Sequence, residues 1–122
     1  MSDGIRVEGL VRTFGRRRIL RGLSAQFMPG KLHLITGPNG SGKTTLLRVM
    51  TGQLTLESGT ITFGDDTVHA HEALPWSVRK NLGVLAHQSF LYSELSAREN
   101  LELYANLYGL GTEGVQRAIE RV

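Results

Sequence analysis

The chain has 122 residues, 40% of them hydrophobic and 20% charged, with no cysteine and a formal net charge of +3. That length suits one domain, the composition excludes a disordered or fibrous chain, and the missing thiols exclude disulfides and thiolate metal sites. No secretory signal opens the chain and no apolar run is long enough to span a bilayer, so a cytoplasmic setting is expected, peripheral to the membrane only through a partner.

Ile5, Val7 and the pair Leu10-Val11 recur at a rough period of two and end near Phe14-Gly15, which predicts a strand. Residues 19–27 predict a second strand, and Pro29-Gly30 a turn. The two strands read as an antiparallel pair around the tip Gly15-Arg16-Arg17. The positive excess gathers here, in Arg12, Arg16, Arg17, Arg18 and Arg21. A patch for nucleic acid or anionic lipid is one reading. No aromatic platform is interleaved, so the expectation is a solvated tip whose arginines face water.

Residues 32–36 form a short apolar run that predicts a buried strand with His33 packed in it. The run feeds a glycine-rich loop. Residues 44–50 then read as a helix with Leu46, Leu47, Val49 and Met50 as its apolar residues, stopped at Gly52. Residues 59–63 predict a strand ending in the turn Gly64-Asp65-Asp66. An apolar strand ending in aspartate superficially resembles a magnesium-binding arrangement, but the turn composition speaks against Asp65 in that role.

Pro75 argues against a long helix over residues 67–80, and Trp76 is expected as a packing anchor. His69 and His71 alternate around Ala70, with no further Cys or His to complete a zinc set. Residues 82–86 predict another buried strand, ending at His87-Gln88-Ser89. Ser96 and Glu99 have capping-box spacing for a helix that carries Leu101, Tyr104, Ala105 and Tyr108, closed by Gly109 and Gly111. Thr112 is placed to cap a last helix with Val115, Ala118, Ile119 and Val122 on one face. That pattern runs to the last residue, so a part of something longer is expected.

The loop Gly37-Pro38-Asn39-Gly40-Ser41-Gly42-Lys43-Thr44 fits G-x-x-x-x-G-K-[ST]. A chance match in a chain this long is below about 1%, so an inconsequential glycine-rich turn is set aside. Successive backbone N–H groups in such a loop form a nest for phosphate oxygens. Glycines at 37, 40 and 42 are expected to take positive φ and let the backbone approach the anion. The following helix aims its positive dipole end at the same phosphates. Lys43 is placed to reach the β- and γ-phosphates, the Thr44 hydroxyl to ligate Mg²⁺, and Thr45 to contact the α-phosphate.

Residues 36–47, with Asn39 and the double threonine Thr44-Thr45, resemble the loop of the ABC-type ATPases. The resemblance recurs in order at Glu57-Ser58-Gly59-Thr60-Ile61, at Gln88, and over residues 95–110. It implies an α/β fold: a P-loop NTPase core of ABC type with an N-terminal antiparallel β subdomain, truncated at the start of the helical subdomain. Residues 1–94 would be the nucleotide-binding core and residues 95–122 the start of the helical subdomain. ATP and Mg²⁺ would be the cofactors. Pro38 and Ser41 would join the other loop residues around the phosphates. Phe14 would stack on adenine, keeping the π-face of the commoner tyrosine without its hydroxyl. Gln88 would ligate Mg²⁺ or position a water. Phe90, Leu91 and Tyr92, just after it, would meet a transmembrane transporter subunit, with burial in the helical subdomain as the other reading. Residues 87–92 with Glu99-Asn100-Leu101 are similar to exporter-type subunits, including the haem-exporter ATP-binding subunit.

The family's hydrolytic aspartate and glutamate, its later histidine and its serine-glycine signature loop have no counterpart in this sequence. The resemblance therefore implies an ATPase for the parent protein, working as a homodimer or heterodimer, and a portion here that binds nucleotide weakly and hydrolyses almost none. Three alternatives stay open: a soluble ATPase of the same type acting on ribosomes or nucleic acid, a P-loop phosphotransferase, and a non-catalytic nucleotide-binding module.

Overall fold

Alternation of apolar and polar residues builds a long hairpin first. Strands β1 (Ile5–Phe14) and β2 (Arg17–Phe27) pair antiparallel, with Phe14 opposite Arg17 across the turn at Gly15 and Arg16. The register of this pair shifts after Val7, again after Leu10, and between Arg12 and Thr13. These bulges twist the ribbon and explain why the period of two is only rough. The computed structural model describes residues 4–86 and 90–121. Within it the chain forms two compact units, one ending at Leu82 and the other beginning at Gly83.

In the first unit a second hairpin joins the sheet. Strand β3 (Ser58–Phe63) pairs antiparallel with β1, and the short β4 (Asp66–Val68) closes the order β2-β1-β3-β4. Phe63 faces Asp66, so Gly64 and Asp65 make a two-residue turn, as their composition predicts. Helix α1 (Lys43–Met50) buries Leu46, Val49 and Met50. Their i, i+3, i+4 spacing puts all three on one face, and they join Val7, Leu10, Ile61 and Phe63 in the core. Leu47, read as an apolar helix residue, lies on the other side and is half exposed. Helix α1 ends as its glycine predicts: the N–H groups of Gly52 and Gln53 fold back onto the carbonyls of Val49 and Arg48, with Gly52 left-handed.

Pro75 opens a single helical turn, α2 (Trp76–Arg79). Val78 and Leu74 fill the core there, while Trp76, expected as a packing anchor, is 53% exposed.

Two expected strands are absent. Residues 32–36 and 82–86 form no ladder, and Leu32, Leu34 and Leu85 are largely exposed. A strand is half of a pairing, and among the described residues neither run is paired in a ladder with another segment. His33 is accordingly not a core residue. Its Nε2 accepts the Met28 N–H at 2.9 Å and its ring meets Phe27 edge-on at 5.2 Å, closing the turn after β2.

The second unit holds helices α3 (Ala97–Leu107) and α4 (Glu113–Glu120). The capping box forms as the spacing predicts: Ser96 Oγ accepts from the Glu99 N–H and Glu99 Oε1 accepts from the Ser96 N–H, at 3.1 and 3.0 Å. Those bonds to Ser96 hold the Glu99 carboxyl below its ordinary pKa. Gly109 ends α3 with the same left-handed motif as Gly52. Thr112 does stand before α4, but its side chain makes no capping bond.

Asn100 organises the segment ahead of α3. It is buried, accepts from the Tyr92 N–H at 2.8 Å, and donates to the carbonyls of Tyr92, Leu95 and Ser96 at 3.1, 3.2 and 2.9 Å. The Tyr104 hydroxyl donates to the Phe90 carbonyl. Phe90, Leu91 and Tyr92 are thereby held in place with their side chains exposed.

Candidate phosphate-binding site

The loop between residue 36 and α1 is shaped by its own backbone. Gly40 and Gly42 take φ of 83° and 101°, and Gly42 caps α1 in the left-handed region. Gly37 does not take positive φ; it is needed for space, since a β-carbon there would stand 2.7 Å from Ser41 Oγ. The Ser41 N–H closes a turn onto the Pro38 carbonyl at 3.1 Å, and the helix ladder starts at Leu46 N–H to Gly42 O, 2.9 Å. The first N–H groups of α1 therefore have no acceptor within the helix.

Lys43 bends back over this loop. Its Nζ donates to the Gly37 carbonyl and lies 3.4 Å from the Pro38 carbonyl. Thr44 is exposed in the first turn, Thr45 is half-buried beside it, and Asn39 is exposed on the loop. The free N–H groups of the helix start suit phosphate oxygens, and the exposed Thr44 hydroxyl beside them suits a phosphate-bound Mg²⁺.

The loop forms one wall of a cleft of about 580 Å³. The opposite wall is β2, including Arg17, Arg18 and Arg21. These arginines are exposed, as the solvated-tip reading expects, and they also line the cleft beside the loop. Nothing local could have revealed this, because the approach joins segments some twenty residues apart.

Phe14 stands at the end of β1, 45% exposed, outside the residues that line this cleft. The Arg12 guanidinium lies 5.3 Å from its ring centroid. Arg12 is fixed in turn: its Nη1 donates to the Thr55 carbonyl at 2.8 Å and its Nε lies 4.0 Å from Glu57 Oε1. The same carboxylate oxygen accepts from Thr13 Oγ1 and from the Thr13 N–H, at 2.7 and 2.9 Å. Glu57 thus clamps the end of β1, a role that resemblance alone did not assign it. Gln88, named above as a metal or water ligand, lies outside the described residues.

The Thr13 hydroxyl and then the Thr13 N–H hold the Glu57 carboxyl below its ordinary pKa against the opposing effect of burial, with weaker help from Arg12 and His71. A carboxyl depressed in the folded state stabilises above its unfolded pKa, and that stabilisation disappears as pH falls through the folded value. Glu57→Gln is expected to lower the urea midpoint at neutral pH. The gap from the unaltered chain should close as pH drops below the ordinary carboxylate range, and a gap independent of pH would contradict the clamp.

Residues 20–122 match the protein family described as ABC transporter. The daunorubicin resistance ATP-binding protein DrrA3 of Streptomyces coeruleorubidus is 40% identical over 113 residues, covering 91% of this chain and 34% of that protein. The lantibiotic transport ATP-binding protein SrtF of Streptococcus pyogenes is 28% identical over 120 residues, covering 97% of this chain and 49% of that one. The chain thus spans between a third and a half of these relatives. Among solved structures, an ATP-binding subunit of an ABC transporter aligns with a TM-score of 0.74 at 24% identity, over 88% of this chain and 44% of that one. The ADP conformation of an ATP-binding cassette aligns with a TM-score of 0.56 at 36% identity, over 64% and 30%.

Proposed function

The chain belongs to the ABC transporter family, and from that premise we propose that residues 37–45 hold the phosphates of ATP with Mg²⁺ and serve a subunit that couples ATP to membrane transport. The observation that carries the proposal is the loop itself, in which a left-handed Gly42 opens α1 and Lys43 overhangs it. Nucleotide would draw the Lys43 amine from the loop carbonyls onto the β- and γ-phosphates. Unpaired N–H groups of α1 would take the nearer oxygens. Thr44 would hold Mg²⁺, with Gln88 as a second ligand, and the ion would neutralise charge on the terminal phosphates. Phe14, steadied by Arg12, offers its open face to adenine.

The reading extends to partners. No helix among the described residues is long and apolar enough to cross a membrane, and the proposed function pairs this nucleotide-binding part with a transmembrane transporter subunit. The exposed Phe90, Leu91 and Tyr92 are its docking residues. Nod factor export ATP-binding protein I of Rhizobium sp., 31% identical over 115 residues, supports export as the direction. Dimerisation of the whole subunit belongs to the same reading.

In-line attack on a γ-phosphate needs an activated water, and the sequence has no counterpart of the family's hydrolytic aspartate and glutamate, so little turnover is expected. The expected result is ATP–Mg²⁺ binding by calorimetry with phosphate release at background. Robust turnover would mean a different, self-sufficient P-loop enzyme. Absence of binding in a folded sample would overturn the proposal.

A further inference from the structure

We infer that Arg17, flanked by Arg18 and Arg21, forms a second phosphate-binding wall that holds the polyphosphate tail of the nucleotide against the loop. The inference rests on the proposal that the loop binds nucleotide. Arg17 Nη2 lies 3.6 Å from where a β-carbon on Gly40 would stand, so the guanidinium faces the open side of the loop at that glycine. Arg18 and Arg21 line the same cleft, and Arg21 Nε donates to the Arg18 carbonyl at 3.3 Å. With Lys43 they make four cationic side chains, and no carboxylate is among the lining residues. Among the described residues the ion pairs lie elsewhere, between Arg6 and Glu8 and between Arg12 and Glu57.

Four like charges in one concavity repel one another and focus a positive field into it. A polyanion relieves both effects. The planar guanidinium fork binds two phosphate oxygens at once, which a lysine cannot. The cleft is concave, of small-ligand size, and backed by the phosphate loop. Those features favour a compact polyphosphate over a nucleic-acid strand, which needs an extended groove and stacking surfaces.

The test is calorimetry on the unaltered chain, Arg17→Gln, Arg18→Gln and Arg17→Lys, with ATP, inorganic tripolyphosphate and adenosine as probes over a range of salt. Each glutamine variant should lose roughly three- to tenfold in affinity for ATP and tripolyphosphate. Adenosine binding should not change, the salt dependence should become shallower, and Arg17→Lys should recover part of the loss. Both side chains are exposed near the hairpin end, so circular dichroism should match the unaltered chain. If both glutamine variants bind ATP and tripolyphosphate as the unaltered chain does, while that binding still depends on Lys43, only the arginine wall is overturned. Arginine-dependent binding of an RNA oligonucleotide that tripolyphosphate does not displace would also overturn it. An unaltered chain that binds no nucleotide removes this inference together with the function it rests on.

Discussion

Lys43→Ala is expected to lower ATP affinity by about a hundredfold, equivalent to ~3 kcal/mol. The lysine is the one residue of the loop itself that brings a full positive charge to the phosphates, and its amine overhangs the loop backbone. A different outcome is conceivable on geometry alone. The amine now holds the carbonyls of Gly37 and Pro38, so the side chain also fastens the loop. If fastening were its whole role, alanine would loosen the loop and weaken tripolyphosphate, ATP and ADP by the same factor. If charge pairing dominates, the loss should be largest for ATP and tripolyphosphate and smaller for ADP. Lys43→Arg adds a second discrimination. A guanidinium is wider and planar, and in a loop this tight it should not restore binding although it keeps the charge. Thermal unfolding should barely move in either variant, because Lys43 is no part of the core. Unchanged ATP affinity in Lys43→Ala would remove the loop from the site.

The parts of this molecule legible in its sequence are those whose cause is local. The turn at Gly64 and Asp65, the box at Ser96 and Glu99, and the stops at Gly52 and Gly109 each need only a few neighbouring residues, and each forms where its residues predict. The phosphate loop is legible for the same reason. What composition could not decide is whatever needs a partner far along the chain. An apolar run at residues 32–36 has the right residues for a strand, yet a ladder also requires a second backbone beside it. Glu57 reads as an ordinary turn residue until Thr13 and Arg12 are brought to it across the sheet. Arg17 reads as a solvated charge and is exposed, but that it also lines the cleft beside Gly40 depends on the hairpin. In each case the residue type was plain and its neighbour was not.

Gly59→Ala is expected to destabilise the first unit by about 3–5 kcal/mol, from two costs that can be separated. Gly59 has φ +89°, a conformation that alone penalises a β-carbon by about 1–2 kcal/mol. The larger cost is steric. The bulge in β1 after Glu8 presses two backbone carbonyls onto β3, so the added carbon would stand 2.4 Å from Gly9 O and 2.5 Å from Glu8 O. Neither can swing aside as a side chain would. Relief requires β1 and β3 to part near Val7 and Ile61, both fully buried, and such parting opens the core. Gly9→Ala supplies the comparison. Gly9 also has positive φ, +59°, but a β-carbon there meets nothing within 4 Å. That variant should lose only the conformational part, about 1 kcal/mol. Urea unfolding of the two variants beside the unaltered chain measures the difference. A gap of a few kcal/mol assigns it to the carbonyl contact, whereas equal losses would mean that β1 and β3 are not pressed together at Gly59 in solution.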